Sequence, residues 1–83
     1  MTIYDVIMER KNEMKDGERN VLGEIVKADI YYDEFPSKIN VYSRFIKVDR
    51  YRLNELLNGT GIYIQSIIPR TGYLEILMED YRM

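Results

Sequence analysis

The side chains of this sequence best suited to acid-base work or to holding a hard metal ion are its carboxylates, and adjacent pairs of them occur at Asp33-Glu34 and Glu79-Asp80. General acid-base chemistry needs two such groups to converge with separated pKa values, and a divalent cation needs several oxygens around one point. Neighbours in sequence do neither by themselves, because on a strand they face opposite ways and in a loop they face water. No histidine or cysteine occurs. That removes imidazole bases, Ser-His and Cys-His nucleophiles, and the usual zinc ligands. Gly59-Thr60-Gly61 has the composition of a phosphate-loop fragment. Its context closes a helix and opens a strand, the reverse of the order that aims helix N–H groups at an anion. The expectation is a protein that is not an enzyme and carries no cofactor or metal.

Binding is the chemistry that remains. Tyr42, Arg44, Tyr63 and Tyr73, with Lys27, Tyr31 and Gln65, fall on strand positions opposite the main apolar set. Tyrosine supplies contact area at interfaces with little entropy cost, and it also simply packs well on half-exposed strands. A face of tyrosines and cations could equally stack bases and hold phosphates. A second surface comes from Asp5, Glu9 and Glu13, which a helix would align along one side, either as a solvated face or as an attraction to a basic protein. Charge is segregated along the chain: residues 1–35 carry nine acids and five bases, residues 36–72 two acids and six bases, and residues 73–83 three acids and one base. The total of −2 therefore hides a bipolar distribution and lacks the broad basic footprint of a nucleic-acid binder. A protein partner is the preferred expectation, with Tyr42, Arg44, Tyr63 and Tyr73 as anchors and the acidic helix face as an alternative. A nucleic-acid-binding regulator using the tyrosine and arginine face is second.

These residues must be positioned by one small domain, residues 1–83, since 83 residues at 46% hydrophobic and 31% charged support one folded core and little more. So thin a margin makes a homo-oligomer a reasonable expectation. The start of the chain has no basic leader, and no long apolar run follows, so a soluble cytoplasmic protein away from membranes is expected. Ile3, Val6, Ile7 and Met14 predict a helix over 3–16, capped by Thr2 and stopped by Gly17. Residues 21–32 fit two elements. Leu22, Ile25, Val26 and Ile30 suit a helix, whereas Val26, Ala28, Ile30 and Tyr32 alternate as in a strand, and the strand is preferred. Residues 39–48 would complete a hairpin with it. Asp49 caps a short helix ended by Asn58-Gly59, and Ile62, Ile64 and Ile68 then pair across Pro69-Arg70-Thr71-Gly72 with Leu74, Ile76 and Met78. The fold class is α+β in the order αββαββ, a mostly antiparallel four-stranded sheet with two helices.

Leu53-Asn54-Glu55-Leu56-Leu57-Asn58-Gly59, followed by a strand ending Ser66-Ile67-Ile68-Pro69 and by Tyr73-Leu74-Glu75-Ile76-Leu77, resembles small bacterial and phage domains of unknown function. Those domains join a strand, a helix with an LN-x-LL pattern and a closing hairpin. The likeness covers residues 39–80, and Thr60-Gly61-Ile62-Tyr63 stands where such domains often have Gly-Trp. It implies an architecture and no activity. The size of the chain and the want of catalytic equipment suit an adaptor or inhibitor, including a phage or mobile-element accessory protein of the anti-defence, anti-CRISPR type.

Overall fold

The first helix, α1 (Ile3–Arg10), begins as the sequence predicts: the Thr2 hydroxyl accepts the Asp5 N–H at 3.0 Å, while the Asp5 carboxylate accepts the Thr2 N–H at 3.2 Å. It does not run to Gly17. A 3-10 turn at Lys11–Glu13 tightens its end, Met14 turns extended with its side chain buried, and a new helix, α2 (Asp16–Tyr31), starts beyond Lys15. Glu18 supplies the start signal, its carboxylate accepting the Lys15 N–H at 2.8 Å. Gly17 lies in the first turn of α2 rather than at a stop. A Cβ there would stand 3.0 Å from the Lys47 carbonyl oxygen and 3.3 Å from Val48, so the glycine lets the segment after the first strand cross the helix closely.

The computed structural model describes residues 1–82, and its remaining elements are β1 (Lys38–Tyr42), α3 (Arg50–Leu56), β2 (Ile62–Arg70) and β3 (Tyr73–Asp80). Among the described residues the architecture is three helices against a three-stranded antiparallel sheet, which corrects the expected four strands and two helices. Residues 21–31 are helical because Val21, Leu22, Ile25 and Ala28 form one buried stripe together with Glu18. The alternation over 26–32 was the misleading pattern, since Ile30, Tyr31 and Tyr32 all face solvent. Having lost that partner, β1 pairs instead with β3, which is central in the order β1-β3-β2. It is also shorter than expected, as residues 43–49 leave the sheet as an irregular loop.

The closing hairpin forms, with Arg70 opposite Tyr73, but its register carries a bulge between Ile64 and Ser66. Gln65 is the extra residue. Past it Ile67, not Ile68, sits opposite core residue Ile76, while Ile68 faces Glu75 on the other side of the sheet. A single inserted residue thus reverses the faces expected for the far half of the strand. The helices cover one face of the sheet: Ile3, Leu22, Ile25, Leu53, Leu56 and Leu57 pack with Ile39, Val41, Ile62, Ile64, Leu74, Ile76 and Met78. Among the described residues, no helix lies over the other face.

Candidate functional site

Two surfaces can do binding chemistry. The first is the helix-free sheet face. Tyr42 on β1 and Tyr73 on β3 are directly opposite in register, and their rings lie 5.1 Å apart at a 37° tilt. Beside them Ile68 and Leu77 remain half-buried without a covering layer. Between these apolar groups Glu75 accepts from Arg70 at 3.2 Å and meets Lys38 at 3.5 Å. The Arg70 hydrogen bond first, then the Arg70 charge and the Lys38 ammonium, hold the Glu75 carboxyl below its ordinary range against the opposing effect of desolvation.

The anchors expected from the sequence do not form one cluster. Tyr42 and Tyr73 are together, but Tyr63 lies opposite Glu79, six residues along β3 and roughly 20 Å from the tyrosine pair at the usual rise per strand residue. Arg44 sits in the loop beyond β1, exposed and off the sheet. Tyr31 is at the end of α2, and Lys27 pairs with Glu24 on the same helix at 3.2 Å. The acidic row is also broken. Asp5 is a capping group, lowered in pKa chiefly by the Thr2 hydroxyl and next by its N–H, while Glu13 sits past the end of α1 and binds Arg10 at 3.1 Å. Glu9 stays exposed.

The second surface has no counterpart in the sequence expectations. A groove of about 1030 Å³ runs between the far half of β2, the 46–49 loop and the start of α3. Its inner wall is an ion pair: Glu18, only 4% exposed, accepts from Arg52 Nε at 3.3 Å, and Arg52 reaches the Glu13 carbonyl at 3.1 Å. This places one residue each from the 3-10 turn, α2 and α3 in a single polar joint. Ile46, Val48, Ile67 and Leu74 give the groove its apolar lining. The near edge of β2 is sealed by α3. Asn54 accepts the Ile64 N–H at 2.7 Å and donates to the Ile64 carbonyl at 3.0 Å, and Arg50 donates to the Gln65 carbonyl at 2.7 Å. An amide that matches both main-chain groups of one residue stands in for a neighbouring strand.

Neither acidic pair singled out above gathers a cluster of carboxylates among the described residues. Asp80 is bound by Arg82, which also reaches Asp29 at 2.7 Å, and among the described residues no three carboxylates come together as a metal site would need. No described helix is long and apolar enough to cross a membrane. No protein-family model, no curated protein and no solved structure matches this chain.

Proposed function

We propose that this is a non-catalytic binding protein, an adaptor or inhibitor that works by covering part of a larger protein. The observation that carries this is the sheet with helices on one face only, whose other face presents the Tyr42–Tyr73 pair beside half-buried Ile68 and Leu77. Rigid aromatics on paired strands offer contact area already ordered before binding. An interface of about 800 Å² per partner is roughly a seventh of the 5737 Å² surface of the chain. Occlusion of this kind also suits the anti-defence role raised by the size and composition of the chain. Nucleic acid is the weaker reading for the same face, because Lys38 and Arg70 are already closed on Glu75.

The test is affinity capture from the native host with the wild-type chain and with a Tyr42→Ala/Tyr73→Ala variant, followed by titration of the identified partner. Loss of at least tenfold in affinity in the double variant supports the reading. Unchanged affinity in that variant, or binding only to a single-stranded oligonucleotide with steep salt dependence, refutes it.

A further inference from the structure

The sealing of the β2 edge stops at Gln65. Among the described residues, no backbone or side-chain group outside the β2–β3 ladder hydrogen-bonds the main chain from Ser66 to Arg70. Alternate residues of this stretch turn their main-chain groups away from β3, so the edge is a short template for another strand, blunted further at Pro69, which lacks a donor. The groove lies along this open stretch, and its apolar lining is within reach of every second side chain of an added strand.

The electrostatics select the occupant. Both acids of the groove are engaged, Glu18 by Arg52 and by the Lys15 N–H, and Asp49 by the Tyr51 N–H that it caps. Three cations there, Lys15, Lys47 and Arg50, have no carboxylate within ion-pair distance among the described residues. We propose that the β2 edge from Ser66 to Arg70 accepts an extended acidic segment of a partner protein as a fourth strand, with apolar side chains in the groove and carboxylates against Lys15, Lys47 and Arg50. This rests on the binding-protein reading but uses a different surface from the tyrosine face. The two can therefore fail separately. Main-chain pairing would supply the affinity, and the cations would supply the preference for acidic sequence.

The experiment uses the whole chain, fluorescently labelled, against an array of short peptides that alternate apolar residues with Asp or Glu. Each peptide is accompanied by its lysine counterpart and by copies N-methylated on alternate amides in either register. Retention of acidic peptides, with the lysine counterparts and at least one methylated register left unbound, is expected. Lys15 and Lys47 are exposed, so a Lys15→Glu/Lys47→Glu variant should keep its circular dichroism spectrum and bind the best peptide about tenfold more weakly. Tyr42→Ala/Tyr73→Ala should leave it unchanged. No retention of any acidic peptide, equal retention of lysine peptides, or indifference to methylation in both registers overturns the proposal. So does a thymidine oligonucleotide that displaces the peptide and binds more tightly, which would give the groove to nucleic acid. Peptide binding abolished only by the tyrosine changes overturns it too, while leaving the broader reading standing.

Discussion

Asn54→Ala isolates the contribution of the sealed half of the β2 edge. The substitution removes two hydrogen bonds, from the Ile64 N–H at 2.7 Å and to the Ile64 carbonyl at 3.0 Å, at a part-buried site. Each such bond contributes about 0.5 to 1.5 kcal/mol net, so the pair contributes about 1 to 3 kcal/mol. Alanine returns roughly 0.5 kcal/mol through its higher helix propensity within α3. The expected net loss is about 1.5 kcal/mol, a fall in Tm of roughly 6 to 12 °C in a domain of this size. Urea unfolding followed by circular dichroism measures it, and an unchanged slope with a lowered midpoint would show that stability rather than compactness changed. Hydrogen exchange should accelerate at the Ile64 amide more than at the amides of the β1–β3 ladder. Asn54→Asp keeps the acceptor but sets a carboxylate oxygen against the Ile64 carbonyl, so it should be no better than alanine. A Tm within about 2 °C of wild type for Asn54→Ala, or full stability in the aspartate variant, would refute the strand-substitute argument.

Glu18→Ala should cost about 3 kcal/mol in urea unfolding, because it leaves the Arg52 guanidinium and the Lys15 N–H without their buried acceptor; a loss below about 1 kcal/mol would contradict the joint between α2 and α3. Gly61→Ala combines a φ of +84° with a Cβ only 2.6 Å from Arg82 Cγ, so it should lose about 2 kcal/mol and loosen Arg82 from Asp29 and Asp80, whereas Gly23→Ala, with open space around it in α2, should raise stability by about 0.8 kcal/mol. Thermal scans of both variants would reverse the argument if Gly23→Ala were the more harmful change. Asp5, Glu75 and Asp80 all have lowered pKa values, from Thr2, Arg70 and Arg82 respectively. Their contributions are complete above the ordinary carboxylate range and are lost as pH falls through the lowered folded values, so Tm should hold near neutrality and drop on acidification through and below that range. A Tm that rises on acidification would show the sign to be wrong.

The parts of the fold legible in the sequence are those fixed by local chemistry. The Thr2 cap, the Asp49 cap whose carboxylate accepts the Tyr51 N–H at 2.8 Å, and the hairpin around Thr71-Gly72 all depend on residues within four positions of one another. The failures are tertiary. Val26 and Ile30 carry strand propensity, but a stripe through Val21, Leu22, Ile25 and Ala28 buries more apolar surface against the sheet as a helix, and packing overrides propensity. That one element decided the strand count and the partner of β1, and it took Lys27 and Tyr31 off the sheet. The bulge at Gln65 has no local signature, and it exchanged the faces of Ile67 and Ile68. The groove was not legible because Lys15, Val48 and Ile67 meet only once α2 is a helix.

The charge segregation also changes meaning once its partners are visible. Of the six bases in residues 36–72, Lys38 and Arg70 close on Glu75, and Arg52 closes on Glu18 and Glu55. Arg82 of the tail similarly holds Asp29 and Asp80. Much of the apparent polarity is thus the sequence trace of ion pairs that hold the elements to one another, and those cations are not free to attract a partner. What is left over is local: Arg44, Lys47 and Arg50 fall within seven residues of chain, and Lys15 joins the latter two at the groove. Screening confines such charges to about 8 Å in physiological salt. They therefore act on whatever lies along the open end of β2, rather than giving the whole molecule a directional field.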